Sequence, residues 1–333
     1  MSSRPIAVTG IKPSGTPQLG NLLGMIRPAL ALRERYDAYY FIADEHALTT
    51  VADRDELQRL TDEVVATWLA LGLDPERDVF YRQSDVPEVF ELAWILSCVT
   101  PKGLLNRAHA YKAAVDANKA TGRTPDDGVS AGLFNYPMLM AADILLFDAA
   151  VVPVGADQAQ HLEMTRDIAE AFNRTFGDTL TIPEALIDAD VAIVPGLDGR
   201  KMSKSYGNII PIFASPDDAR KAVMRIVTDS RPPEEPKDPT TCNVFSIYKH
   251  VAPPDDVEAM AKRYRAGDVG YGEAKQRLAD VLEDQLSAPR RRYEELLADR
   301  AAIDAVLAAG AERAHPHARQ TLDRAKRAVG LSR

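Results

Sequence analysis

The stretch that decides the fold is IAVTGIKPSGTPQLGNLLG, residues 6–24. Ile6 to Thr9 is a short apolar run and reads as a strand. Gly10 to Gly20 is a loop rich in glycine and proline. Leu23, Ile26 and Leu30 then recur at helical spacing, so a helix opens near Gly20 or Asn21 and continues to about Arg35. A glycine-rich turn between a strand and a helix start suits an anionic ligand, because the free N–H groups and the dipole at the helix start attract phosphate. Two common phosphate loops are excluded. Gly10 and Gly15 have the P-loop spacing, but Thr16 and Pro17 follow them where Lys and Ser or Thr are required. The spacing is not GxGxxG either. Taken alone, the glycines also fit plain turn residues.

Working outward, Ala38 to Ala43 (AYYFIA) reads as a buried second strand. Asp53 to Leu71 reads as a long amphipathic helix and Asp78 to Arg82 as a third strand. Val151 to Val154 is a further strand, followed by a helix from Asp157 to Phe172. Strands alternating with helices predict an α/β fold, a Rossmann-like doubly wound parallel sheet with helices on both faces. Pro87 to Val99 is nearly all apolar, with Phe90, Trp94 and Ile95, and is expected to be buried in the core or in a subunit contact. Residues 116–129 are polar and read as a surface loop. After Lys201 the character changes. Ser215, Pro216 and Asp218 form a capped helix start, residues 231–239 form a proline-rich connection, and from Val257 the patterns are helical. The chain of 333 residues thus divides into an α/β domain over 1–205, with a helical insertion near 86–130, and an all-helical domain over 206–333. The last helix is expected to pack back on the first domain.

A hydrophobic fraction of 46% and a charged fraction of 27% belong to an ordinary globular chain with material for a large core. The formal net charge of −9 argues by itself against nucleic-acid binding. Positive charge clusters late, however, at Arg290, Arg291 and Arg292, and again at Arg313, Arg319, Arg324, Lys326 and Arg327. Each cluster fits either a solvated helix face or contacts with a phosphate backbone. Cys98 and Cys242 form no CxxC pair, so no protein-bound zinc is expected. His109, His161 and His250 show no metal-ligand spacing, and His315 and His317, flanking Pro316 near an expected helix start, read as solvated. No apolar run approaches the length of a signal peptide or membrane span, which makes the cytoplasm the default expectation.

Pro13-Ser14-Gly15, followed by Gln18-Leu19-Gly20-Asn21, resembles the first signature of the class I aminoacyl-tRNA synthetases. Lys201-Met202-Ser203-Lys204-Ser205 matches their second signature, KMSKS, letter for letter. The whole chain resembles their tryptophanyl and tyrosyl subgroup. The first signature usually opens with His or Thr where Gln18 stands; Gln can donate a hydrogen bond to phosphate but carries no charge. Lys12 stands where relatives often have Gln and would add a positive charge beside the nucleotide. The resemblance implies ATP, with Mg2+ on its phosphates, as the activating cosubstrate. Lys201, Lys204 and Ser205 would carry the catalytic role. Lys12, Pro13, Ser14, Gln18, Gly20, Asn21, Gly155, Ala156, Asp157, Ile193, Met202 and Ser203 would complete the nucleotide site. Asp157 with Gln160 also fits a helix-capping box.

Between the two amino acids, Tyr136-Pro-Met-Leu-Met140-Ala-Ala-Asp143-Ile-Leu-Leu resembles the tryptophanyl pattern. Tyrosyl relatives have Gln near Met140 and a Tyr on the first strand, where this chain has Val8. Indole has one polar atom, an N–H that only donates. An acid in the apolar setting LMAADILL needs a partner, and Asp143 suits that N–H. Tyr136, Met140, Gln158, Val8, Gly10 and His46 would complete the amino-acid site, although a lone histidine fits a structural role nearly as well. The subgroup further implies tRNA(Trp) and L-tryptophan as partners, an anticodon-binding helical domain and a homodimer. A tyrosine-specific enzyme of the same architecture, another nucleotidyltransferase, and a paralogue that binds tRNA or tryptophan without ligation stay open.

Overall fold

The computed structural model describes residues 4–13, 15, 17–155, 159–186 and 194–332. Among them, five strands form one parallel sheet: β1 (Ile6–Ile11), β2 (Asp37–Ile42), β3 (Val79–Arg82), β4 (Val151–Pro153) and β5 (Glu184–Leu186). The order is β3-β2-β1-β4-β5, with Val8 beside Tyr39 and Ala7 beside Val151. The chain winds one way to β3 and the other way to β5. The reversal falls between β1 and β4, and the crevice outside their carboxyl ends is where such sheets bind ligands. β5 was not expected. Its sequence is Glu-Ala-Leu, largely exposed, so it carries no apolar run to mark an edge strand.

Successive side chains on a strand point to opposite faces. Ala38, Tyr40 and Ile42 of β2 accordingly join one core layer with Trp68 of the helix Arg54–Ala70, while Phe41 joins the other with Tyr81 and the helix Ala131–Leu145. Asp53 caps the helix Arg54–Ala70 by accepting from the Glu56 N–H at 2.8 Å. The helical run expected to about Arg35 covers residues 19–34, but with a wide π turn over Leu22–Ile26. Pro28 explains it: proline has no N–H for the preceding turn and its ring pushes the carbonyl of Gly24 aside.

Two further elements differ from what the pattern suggests. The helix Glu88–Ser97 buries only one face, through Val89, Leu92, Ile95 and Leu96. Phe90 is 41% and Trp94 71% exposed. Residues 116–120 are not loop but the end of the helix His109–Ala120, and the loop after it is fastened by Asn118, which donates to the Pro125 and Asp127 carbonyls. The cap at Ser215 stands as expected, its hydroxyl accepting from the Asp218 N–H at 3.2 Å.

The chain then folds as helices Asn243–Val251, Pro254–Ala266, Tyr271–Ala298 and Arg300–Val329. The core is continuous across residue 206: one apolar cluster holds Ile11, Tyr40 and Trp68 together with Ile210, Phe245, Leu278 and Leu307. The last helix lies against edge strand β3, and Gly310 leaves no room for a Cβ beside the Phe80 carbonyl. Covering an edge removes it as a pairing surface.

The same helix overturns the solvated reading of two histidines. His315 and His317 lie in its interior, with His315 Nδ1 3.1 Å from Glu88 and His317 Nε2 3.2 Å from Asp148. Most of the late basic cluster is also engaged within the chain. Arg313 donates to the carbonyls of Pro75, Glu76 and Asp78, Arg319 pairs with Glu88, Arg324 with Asp148 and Lys326 with Glu91. Burial works against ionisation of Asp148, yet bonds from His317, Arg324 and Thr181 hold its carboxyl down at about 2. Arg290 is buried and makes a two-pronged pair with Glu283 at 2.8 and 3.1 Å.

Candidate active site

The two signatures, nearly two hundred residues apart, meet at the carboxyl end of β1. Gly15 has a left-handed backbone, φ 69°, and a Cβ placed on it would lie 2.5 Å from Lys204 Nζ. The lysine amine therefore rests over the glycine loop, and only glycine permits both the conformation and the approach. A Cβ on Gly20 would touch Met202. The segment after the KMSKS turn runs beside the loop: Leu19 N–H donates to Ile210 O at 2.9 Å, and Gln18 bridges Pro211. Met202 is buried and pegs the turn to the core, while Lys201, Lys204 and Ser205 are exposed and Ser203 is half-buried. Partial burial lowers the Lys204 pKa, opposed by nearby Glu63 and aided by Arg59.

Within the loop, Pro13 is buried and Lys12 donates to Thr49 Oγ1 at 3.2 Å. Burial lowers the Lys12 pKa. Gln18 is buried, and its backbone N–H is capped by the Asn21 side chain at 3.2 Å. Gln18 Oε1 is enclosed without a hydrogen-bond partner among the described residues. Gly155 follows the end of β4 and is exposed. Ser14, Ala156, Asp157, Gln158 and Ile193 lie outside the described residues.

Sequence reasoning missed Asn208, which shapes the KMSKS turn. It is 3% exposed. Its Oδ1 accepts from the Ser203 N–H at 2.8 Å, and its amide donates to Asp198 at 2.6 Å and to the Lys201 carbonyl at 3.2 Å. A buried polar side chain this well satisfied fixes a loop rather than merely decorating it. Its signal was its place three residues after an exposed polar motif, too weak to read from one sequence.

The second centre surrounds Asp143. Tyr136, Met140 and Asp143 recur at i, i+4 and i+7 on one face of the helix Ala131–Leu145. Asp143 is 2% exposed. Gln83, also missed from sequence, donates its amide to both carboxylate oxygens at 2.8 and 2.9 Å, and His46 Nε2 lies 3.0 Å from Oδ2. Burial pushes the Asp143 carboxyl up, against the pull of His46 and Gln83. Next to them Glu45 is pushed up to about 7 by burial and by Asp44 and Asp143, and one of its oxygens is enclosed without a partner among the described residues. Tyr136 Oη lies 3.0 Å from His161 Nε2. Val8 is buried in the same core layer, and Met140 packs against it. Gly10 has a packing reason as well, since a Cβ there would strike the Phe41 ring at 2.6 Å.

The centres are linked. Lys12 bonds Thr49, Thr49 Oγ1 donates to the His46 carbonyl at 2.8 Å, and the His46 ring reaches Asp143. A chain of hydrogen bonds thus runs from Lys12, beside the glycine loop, to the buried carboxylate of Asp143.

Such a sheet order, with a distant lysine turn folded over the loop at its switch point, defines a Rossmann-type nucleotide-binding enzyme fold. The family model described as tRNA synthetases class I (W and Y) matches residues 1–287, and the chain belongs to that family. It is 51% identical over 329 residues to the tryptophan–tRNA ligase of Pseudomonas putida, covering 97% of this chain and 73% of that one. It is 48% identical over 332 residues to that of Neisseria meningitidis, covering 99% and 98%. Among solved structures, the tryptophanyl-tRNA synthetase of Campylobacter jejuni complexed with ADP and tryptophan is similar with a TM-score of 0.88 and 42% identity, over 98% of this chain and 99% of that one.

Proposed function

We propose that this chain is a tryptophan–tRNA ligase. It joins the carboxylate of L-tryptophan to the α-phosphorus of ATP, expels pyrophosphate, and passes the tryptophanyl group to tRNA(Trp) with release of AMP. The observation that carries the reading is Asp143: a buried acid, lodged among apolar side chains and linked by hydrogen bonds to the lysine-bearing loop. An indole N–H is a suitable partner for it.

The reacting carboxylate and the phosphates are both anionic, so the chain's task is to align them and to neutralise charge as it builds on the phosphates. Lys204, Lys201 and Lys12 supply positive charge, and Ser203 and Ser205 supply hydroxyl donors. Gln18, Gly20 and Asn21, with Gly155, Asp157 and their neighbours, hold the nucleotide. Tyr136, Gln158 and His46 line the amino-acid side. No general base is required, because the attacking carboxylate is already ionised near pH 7. Among the described residues no three His, Cys, Asp or Glu side chains gather into a metal-binding group. Mg2+ would arrive on ATP and would offset the charge of its phosphates.

Residues 1–205 form the catalytic part, with 86–130 as a dimer-contact region through exposed Phe90 and Trp94. Residues 206–333 meet the anticodon arm of tRNA. Arg291, Arg292 and Arg327 remain exposed for its backbone. Among the described residues no helix is long and apolar enough to cross a membrane.

The test is ATP–pyrophosphate exchange with tryptophan and with tyrosine. Exchange with tryptophan alone supports the assignment. Preference for tyrosine, or no exchange with either, overturns it.

A further inference from the structure

We propose that Gln83 is a positioning residue for amino-acid recognition, holding the Asp143 carboxylate so that one acceptor direction is left for a single N–H donor of the substrate. This rests on the assignment of Asp143 to the tryptophan pocket. Gln83 is fully buried in the short turn Gln83–Asp85 that follows β3. Its Nε2 lies 2.8 and 2.9 Å from the two Asp143 oxygens, and its Oε1 accepts from the His46 backbone N–H at 3.4 Å. These contacts fix which way the amide faces. Turned over, it would set oxygen against a carboxylate and NH2 against an N–H.

An ionised carboxylate offers about four lone-pair sites. Gln83 takes one on each oxygen and His46 takes one on Oδ2, which leaves about one. Indole offers one N–H and no acceptor, so the counts match. Without Gln83 the carboxylate would keep only its His46 bond, could swing about its last torsion, and would hold its proton more readily in this buried place.

The experiment measures KM for tryptophan and for ATP in pyrophosphate exchange, with the full chain, from about pH 6.5 to about pH 8.5, a range bracketing neutrality where a buried carboxyl can titrate. The variants are Gln83→Met, Gln83→Glu and Asp143→Asn. Gln83→Met should raise the tryptophan KM about tenfold at the acid end, a charged hydrogen bond having given way to a neutral one. The loss should shrink as pH rises, because removing the Gln83 donor raises further a carboxyl that burial already raises. Gln83→Glu has the opposite slope. At low pH the new acid donates its proton to Asp143, and at high pH two carboxylates oppose each other. The ATP KM should change far less than the tryptophan KM, because two residues, His46 and Thr49, separate Gln83 from Lys12.

Losses that do not vary with pH, or that fall equally on tryptophan and ATP, reduce Gln83 to packing and overturn the proposal, as does an unchanged tryptophan KM. If Gln83→Met fails to fold, the isosteric Gln83→Glu still carries the test. Asp143→Asn separates the two claims. An unchanged tryptophan KM in that variant sinks the pocket assignment and this inference with it. A raised KM there, beside inert Gln83 variants, sinks this inference alone.

Discussion

At the scale of single residues the site divides by how each part could be read. KMSKS and the glycine loop are contiguous runs and were legible without a structure. Lys204 resting over Gly15 joins them and leads to a prediction: Lys204→Ala should slow tryptophan activation by about a hundredfold or more, the scale of a lost charge stabiliser. Tryptophan affinity should change little, since Lys204 lies on the phosphate side. Single-turnover adenylate formation beside equilibrium binding of tryptophan checks this, and an unchanged rate would remove the lysine from the mechanism. Asp143 was legible because an acid inside an apolar run stands out. Gln83 and Asn208 were not. Each is one uncharged polar residue whose importance lies in being buried against distant partners, and burial at a turn leaves no periodic signal. Gln18 was read as a phosphate donor, and the chain adds a second duty for that residue, since its backbone N–H is capped by Asn21 at the helix start.

At the scale of elements, short apolar runs and helical patterns located four of the five strands and most helix bodies. The errors fell where tertiary contact overrides pattern: the π turn next to Pro28, and the last helix, most of whose basic residues pair with acids and carbonyls of the same chain. Gly310 puts that docking to the test. A glycine inside a helix normally gains about 1 kcal/mol when replaced by alanine. Here the new methyl would press on the backbone of β3, and overpacking costs about 1–3 kcal/mol. Gly310→Ala should therefore lower the melting temperature, and a rise would mean that the helix does not sit against β3. Asp148 fastens the same helix. Its folded pKa of about 2 lies below the unfolded value near 3.9. Its stabilisation, about 2 kcal/mol by linkage, is thus present above about pH 4 and lost as pH falls through about 2. Urea midpoints of the wild type and Asp148→Asn should differ at neutral pH and converge below about pH 4. A gap that stays constant down to about pH 3 would contradict the pairing.

At the scale of the whole molecule, the sheet and the continuous core account for how the glycine loop, the KMSKS turn and Asp143 come together. They leave one surface unexplained. The helix Glu88–Ser97 turns Val89, Leu92 and Leu96 inward yet presents Trp94, 71% exposed, and Phe90, 41% exposed, on its outer side. Two large apolar rings on one short helix are costly to leave in water, since burying such a side chain is worth about 1.5–3 kcal/mol. A twofold contact between copies would bury both copies of each ring, because the same patch faces itself across the axis. Trp94→Asp should therefore convert a dimer to a monomer in sedimentation equilibrium while leaving far-UV circular dichroism unchanged. An exposed side chain contributes little to the fold of its own chain, within about 0.5 kcal/mol, so a change in oligomeric state without a change in folding isolates the interface. A wild-type chain that sediments as a monomer, or a Trp94→Asp variant that stays dimeric, would show that this face meets no second copy.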